Sequence, residues 1–302
     1  AACASTTMGV AIGTDWIQQG RCERVLVVGA DAVSNDRLMP WFGSGFLAAG
    51  AATTEPDVSQ AAVPFGTKRS GMIVGSGAVG LVVEEMHHSQ ERGMVPLARI
   101  LSTQFANSAF HGTRLDVDHI SGVFKSVVED MVRETGRSSA EIAAETVFMS
   151  HETYTPARGG SSEAEAQGLR NAFGPEAAKV RVANTKGYTG HPMGAGIEDG
   201  LLFKILQHGK VPPLANDHDL DSAFADLNLS RGEDWQGRYG IRLGAGFGSQ
   251  LAFLAVERLA DGPETIVNQE LYDAFVARVV GGPSGETYLD GRILKARESE
   301  EA

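Results

Sequence analysis

Apolar residues recur along this chain at two spacings. After the opening AACASTTMGV, Val10, Ile12, Trp16 and Ile17 form a stripe at helical spacing that stops at Gly20, predicting a helix from just past Cys3 to about Gln19. RVLVVGAD (24–31) is instead a short continuous apolar run of β-branched character, the pattern of a buried parallel strand. MPWFGSGFLAAGAATTEPD reads as a glycine- and alanine-rich loop whose aromatics Trp41, Phe42 and Phe46 pack or line a pocket wall. GMIVGSGAVGLVVEE and, after a short helix near 85–92, VPLARILSTQFAN are strand-like.

Beyond residue 117 the period returns to that of a helix, with Val123, Phe124, Val127, Val128 and Met131 on one side of 117–135. Ser138 and Glu141 are spaced as a capping box for a further short helix. Strand TVFMS, a helix from about Glu163 to Phe173, strand KVRVANT and a helix from Pro192 to about His208 follow in alternation. YGIRLGAGF and SQLAFLAVE close the pattern as two strands near Glu257, so the chain is α/β with some antiparallel pairing. From residue 260 the composition shifts to that of a connecting tail with one short helix.

Composition narrows the function classes. With 302 residues, 42% of them hydrophobic, the chain can bury a large core. A formal charge of −12 argues against nucleic acid, whose phosphates need clustered Lys and Arg. An acidic partner still has the basic groups Lys68–Arg69, Arg21 with Arg24, and Arg158 to meet. Two cysteines cannot build a disulfide framework, which points to a reducing compartment. No basic start leads into an apolar stretch and no apolar run is long enough to cross a bilayer, so a cytoplasmic protein without membrane contact is expected.

Two glycine clusters bear on chemistry. GSGAVG matches the dinucleotide fingerprint letter for letter, but the following LVVEE has no helical period to present amides to a pyrophosphate. It reads as a strand whose glycines admit a close backbone, so no nucleotide is expected there. GAGFGSQ (244–250) lies between two strands as a tight hairpin with backbone N–H groups suited to an oxyanion.

Among the eight histidines, His87, His88, His208 and His218 read as surface residues, and His111 and His119 fall in a loop region. His151 directly follows the apolar strand TVFMS, at the carboxyl end where α/β sheets carry their sites. His191 follows a strand and a turn and precedes Pro192, at a helix start that favours the neutral imidazole; Lys186 stands at the strand end. Cys3, just ahead of a helix, is placed where the dipole favours thiolate. A thiol, two strand-end imidazoles, a lysine and a glycine hairpin are the parts of an acyl-transfer site.

ACAS, HETYTP followed by EAEAQ, NTKGYTGH and GAGFGS resemble, in this order, the signature segments of β-ketoacyl synthases of the thiolase fold, and FGSGFLAAGAAT and KRSGMIVGSGAVGLVVEE resemble their intervening segments. The resemblance covers nearly all of residues 1–257 and implies layered αβαβα architecture with mixed sheets, its first half incomplete. It implies that Cys3 accepts an acyl chain as thioester, that His151 and His191 bind the malonyl thioester carbonyl and assist decarboxylation, that Lys186 orients them and that Glu165 is its acidic partner. Phe247 is matched to a gating residue whose N–H, with that of Cys3, forms the oxyanion hole between Gly246 and Gly248. Phe46 is matched to an acyl-pocket residue, and Thr153 and Thr155 to threonines beside a carrier's phosphopantetheine arm.

The implied reaction is decarboxylative condensation of a Cys-bound acyl group with malonyl on an acyl carrier protein, in a homodimer or a larger multidomain assembly, without metal or other cofactor. The implied division is 1–95 as the remainder of an N-terminal half, 96–259 as a C-terminal half and 260–302 as a linker. Departures are Glu152 for a glycine, Ser70 and Ser76 for acidic residues, Ala245 for a phenylalanine, and three extra residues in ARGGSSEAEA. In the family a βαβ-rich stretch precedes the nucleophile; without it, the helix after Cys3 is expected to expose its packing face and the chain alone to be unstable or inactive. A thiolase acting on coenzyme A thioesters, disfavoured because Cys22 sits in a polar turn, and a non-condensing partner subunit, disfavoured by Cys3, are the alternatives.

Overall fold

The structure is a computed structural model that describes residues 1–156, 160–260, 264–280, 287–291 and 293–296; Arg158, one of the basic residues singled out above, lies outside them. A single 3-10 turn (Ala2–Ala4) leads into α1 (Ser5–Gln18) and β1 (Arg24–Asp31), followed by α2 (Met39–Ala48), α3 (Val58–Ala61), β2 (Gly77–Glu84) and α4 (Met86–Glu91). Next come β3 (Ala98–Asn107), α5 (Val117–Thr135), α6 (Ser139–Ala144), β4 (Thr146–Met149), α7 (Ser161–Phe173), β5 (Arg181–Ala183), α8 (Lys186–Thr189) and α9 (Ile197–His208). Short strands β6 (Lys210–Val211), β7 (Asn228–Leu229) and β8 (Glu233–Asp234) precede the hairpin of β9 (Tyr239–Gly246) and β10 (Gln250–Arg258); α10 (Gln269–Val280), β11 (Thr287–Asp290) and β12 (Ile293–Ala296) follow it.

The main sheet has six strands in the order β3-β10-β9-β4-β5-β7. β10 runs antiparallel to both β3 and β9, while β4 is parallel to β9 and β5, and β5 to β7. Alternate residues of each strand serve two cores, as the pleat demands. Phe148, Val182, Ile241 and Phe253 face one cluster with Phe124 and Val127 of α5 and Leu169 of α7. Val147, Met149, Ala183 and Leu254 face another with Val10 of α1, Leu202 and Ile205 of α9, and Val27 of β1. Helices α1 and α9 therefore lie between the six-stranded sheet and the antiparallel pair β1–β2, giving four of the five layers of a thiolase-like αβαβα stack. Close approach explains Gly244: a side chain there would stand 3.2 Å from the Cα of Ala4 and 3.0 Å from Thr7 Oγ1.

Many elements fall where the periodicity puts them, including the capping box of Ser138 and Glu141. GSGAVG leads into strand β2, and Gly75 and Gly77 lie where a Cβ would meet Thr189 O at 2.2 Å and Ile197 Cγ2 at 2.9 Å. Five expectations are corrected. β1 is neither parallel nor buried on both faces: it pairs antiparallel with β2, turning Val25 and Val27 toward α1 and leaving Leu26 65% and Val28 66% exposed. An apolar run reports β-branched character but not which neighbours cover it. The glycine-rich stretch after Leu38 is helical as α2, because Pro40 suits a first turn and Phe42 and Phe46, one turn apart, stack at 6.3 Å. The helix drawn from Pro192 is broken: a 3-10 turn (Met193–Ala195) ends at Gly196 in the left-handed region (φ 51), and α9 starts only at Ile197. The packing face of α1 is covered, with Val10, Ala11 and Ile17 buried, although Ile12 and Trp16 of the same stripe are exposed. The region after residue 260 carries the hairpin β11–β12 besides α10.

Candidate functional site

Three separate segments converge at the carboxyl end of the main sheet. Cys3 sits in the 3-10 turn ahead of α1, pressed against β9: a Cβ on Gly246 would lie 2.9 Å from the Cys3 nitrogen, so only glycine lets the turn come so near. His151 lies just past the end of β4, whose four residues are all buried. His191 is held by the glycine-rich segment before β2, donating its N–H to Ile73 O at 2.7 Å and accepting from Gly75 N at 2.9 Å. These three side chains line one small cavity with about 40 Å³ of solvent-sized space, together with Phe247 and Gly246. Thr153 and Thr155 form another part of its wall. The two imidazoles stand at right angles (89°) with centroids 5.3 Å apart.

Behind the imidazoles lies a charged cluster without solvent. Lys186 is fully buried, with Nζ 2.6 Å from Glu198 Oε1. Burial opposes the charge on Glu198, but the Lys186 and Arg242 cations beside it hold its carboxyl down at about 2. Burial lowers Lys186 despite Glu198. Burial, with the Lys186 charge adding to it, keeps both imidazoles neutral, His191 down to about 3 and His151 well below the ordinary histidine value. That replaces the helix start expected to neutralise His191, since α9 begins beyond Gly196. Nδ1 of each ring is buried without a hydrogen-bond partner in the structure.

The thiol departs from expectation as well. Burial pushes Cys3 up to about 11; the Lys186 charge works against this and Glu198 with it. A single 3-10 turn in an apolar setting does not supply the electropositive environment that a helix start promises.

Glu165, matched to the acidic partner of Lys186, has another position. It accepts from Ser150 Oγ at 2.6 Å and from the His151 backbone N–H, so it fixes the turn that carries the imidazole while Glu198 takes the lysine. The reason is geometric, because Glu165 rides on α7 beneath the end of β4 whereas Glu198 opens α9 on the opposite face. Phe46 is outside the cavity lining but touches it through Phe247, the rings meeting edge to face at 5.7 Å. Gly248 also lies outside, in the hairpin turn, donating to Gly112 O at 2.9 Å. Glu152 is buried, accepting from Ser161 Oγ at 2.6 Å and from the Tyr154 N–H at 3.0 Å. Arg69 pairs inward with Glu152 at 3.9 Å and Asp221 at 3.4 Å, so it is not a free docking cation.

Sequence reasoning missed Glu198, Asp199 and Arg242. The two acids looked like ordinary first-turn residues of a helix; the one visible signal was a lone arginine inside the apolar strand YGIRLGAGF. Among the described residues, the side chains with metal-ligand spacing are Glu85, His87 and His88, outside the cavity lining. No described helix is long and apolar enough to cross a membrane.

The chain is similar to known proteins over much of its length. The family model of 3-oxoacyl-[acyl-carrier-protein] synthase III matches residues 1–62, the part containing Cys3. The 3-oxoacyl-[acyl-carrier-protein] synthase 2 of Vibrio harveyi is 29% identical over 268 residues, 86% of this chain and 61% of that protein. That of Coxiella burnetii is 32% identical over 177 residues, 57% of this chain and 40% of the relative. Among solved structures, a β-ketoacyl synthase from Burkholderia phymatum superposes with a TM-score of 0.73 at 23% identity, covering 86% of this chain and 60% of that one. A ketosynthase solved with its type II PKS acyl-carrier protein reaches 0.74 at 20% identity over 86% of this chain and 62% of that one. The chain thus spans less than two thirds of the length of each of these relatives. Layer order and these comparisons show a thiolase-like fold, and over part of their length the chain is similar to β-ketoacyl synthases.

Proposed function

We propose that this chain carries the acyl-accepting and decarboxylating centre of a β-ketoacyl synthase of fatty acid or polyketide synthesis. The observation that carries the reading is the single cavity walled by Cys3, His151 and His191, with Lys186 and Glu198 paired behind it. In the first half-reaction the Cys3 sulfur attacks an acyl thioester, a new S–C bond replaces the old one, and the Cys3 proton leaves with the departing carrier thiol. In the second, the malonyl C–C bond breaks, CO₂ departs, and the resulting enolate attacks the Cys3 thioester, whose sulfur leaves and regains a proton. Charge develops on the enolate oxygen, where two neutral imidazoles donate without first surrendering a charge of their own. Each such donor contributes about 3 kcal/mol at comparable sites.

Nearby side chains support further assignments. Thr153 and Thr155, in the cavity wall, are suited to hydrogen-bond the amides of a phosphopantetheine arm, and an acyl carrier protein is the partner that presents one. Phe247 is proposed as the gate, packed on Phe46. A homodimer or a multidomain assembly is the proposed setting, with 1–95 and 96–259 as the two thiolase-like halves and 260–302 as linker.

Two observations favour a second reading. The thiol is pushed up to about 11 and the cavity has only about 40 Å³ of solvent-sized space, as fits a thiolase-fold partner subunit that shapes a site without reacting. A thiolase acting with two thiols is disfavoured, because Cys22 lies outside the cavity lining. Incubating the full chain with an acyl-carrier thioester and reading the intact mass separates these. The expected result is one acyl group per chain, lost in Cys3→Ser and kept in Cys22→Ser. No adduct on the folded wild-type chain supports the partner-subunit reading.

A further inference from the structure

Arg242 is the largest wholly buried side chain among the described residues, and nothing in the reaction above uses it. It stands on β9 opposite Met149, the last residue of β4, two residues before His151. Its Nη1 donates toward the carbonyls of Ser150 (3.2 Å) and Met149 (3.4 Å) and to that of Leu243. Its Nη2 lies 3.4 Å from Glu198 Oε2, and its Nε 3.6 Å from Asp199 Oδ2. Asp199 Oδ1 in turn accepts from Thr7 Oγ1 at 2.8 Å, one turn along the chain from Cys3 on α1. One guanidinium thus touches the strand end that carries His151 and the acid that pairs Lys186. Through Asp199 it also reaches the helix that follows the thiol.

We infer that Arg242 and Asp199 are a positioning pair that ties these three elements together and completes an electrically balanced set of two cations and two anions, so that the pair sets the field felt in the cavity without lining it. The balance follows from counting: Lys186 and Arg242 against Glu198 and Asp199, all buried. With any one removed, a net charge remains in a medium that screens poorly. Burial pushes Asp199 up, while Arg242 and the Thr7 hydroxyl oppose it. The charged groups acting directly on the Cys3 thiol are Lys186, Glu198 and Asp31, so the pair reaches it through Glu198, which Arg242 contacts, while Arg242 acts directly on the rings of His151 and His191 that share its cavity.

The inference rests on the proposed condensing role, but its test does not need turnover. Cys3 alkylation by iodoacetamide is followed at pH 8 in a Cys22→Ser background, where the rate reports the thiolate fraction. Arg242→Met leaves net negative charge and is expected to slow alkylation roughly tenfold, a shift of about one pH unit. Asp199→Asn, nearly isosteric, leaves net positive charge and is expected to speed it by a similar factor. The double variant returns to within about threefold of the parent, and Arg242→Lys, which keeps the charge but not the fork, stays near it. A merely structural pair would loosen the site in both single variants and expose the thiol in both. Rates that move in the same direction, or an Asp199→Asn variant with an unchanged rate, overturn the inference. Failure of acyl transfer with opposite alkylation shifts intact would instead sink the condensing role and leave the positioning pair standing.

Discussion

The two sheets of this molecule solve the same packing problem to different degrees. In the six-stranded sheet β9 is buried at every position and β10 at all but its ends, with helices on both faces. In the β1–β2 pair only the face toward α1 is covered, and Leu26, Val28 and Val82 face outward. Their electrostatics differ in the same sense. Glu84, at the end of β2, meets Arg92 at 2.6 Å and Arg24 at 2.9 Å in partial contact with water; burial opposes its charge, yet the two cations hold it below its ordinary value. Glu165, against the main sheet, is pushed up to about 8 by burial, with Ser150 opposing and Glu152 assisting. The side packed against the main sheet holds the charges whose protonation is shifted furthest.

The largest expected effect sharpens this contrast in the core. Phe253, at the middle of β10, is buried with its ring 5.0 Å from that of Phe124. Phe253→Ala removes most of a ring from a close-packed layer and is expected to destabilise the chain by about 4 kcal/mol, read as a lowered denaturation midpoint at unchanged m-value. A cost below about 1 kcal/mol would mean that the layer collapses to fill the space and is not the rigid platform that the site requires.

How much of this was legible in the sequence follows the same division. The main sheet announced itself, because strands such as QLAFLAVER are apolar through their middle and the helices between them are amphipathic at the right period. His151, His191 and Phe247 were reachable because each lies beside a glycine or at a strand end, and Cys3 because it stands just ahead of a helical stripe, where local sequence marks the turn. The pair β1–β2 was misread because RVLVVGAD looks the same whether one face or both are covered. Glu198 escaped notice because its partner, Lys186, is twelve residues away in sequence and joined only by the chain reversal at Gly190 and Gly196. Helix α2 was hidden by its glycines, since the stacking of Phe42 on Phe46 outweighs their low propensity only once the fold supplies a surface.

A middle-sized effect separates the two electrostatic environments through pH. Glu165 has its folded value raised from an ordinary 4.5 to about 8, so the folded state holds a proton that the unfolded state has released between those limits. Its contribution to stability is present below 4.5 and is lost as pH rises through 8. Stability should therefore fall by about 1.4 kcal/mol per pH unit where only this group differs, best read between about pH 6.5 and 7.5, above the ordinary histidine range. Glu165→Gln should flatten that slope. Glu84 has the opposite sign: its folded value is lowered, and its contribution disappears only on acidification. An unchanged slope in Glu165→Gln would mean that this carboxyl is ionised in the folded chain, and would remove the basis for distinguishing the two sides.

The smallest expected effect tests the open face itself. Leu26 and Val28 leave about two thirds of their surface in water, so replacing either with threonine removes little buried area and places a β-branched side chain suited to a strand. Each of Leu26→Thr and Val28→Thr is expected to shift stability by no more than about 0.5 kcal/mol, against about 4 kcal/mol for Phe253→Ala. Denaturation of the two variants at several protein concentrations makes the comparison sharper. If either costs more than about 1.5 kcal/mol, these side chains are buried in solution, and a cost that grows with concentration identifies the cover as a second copy of the chain. The contrast between the sheets would then belong to the isolated chain and not to its assembled state, while the Cys3 cavity, whose lining includes neither Leu26 nor Val28, would keep its present walls.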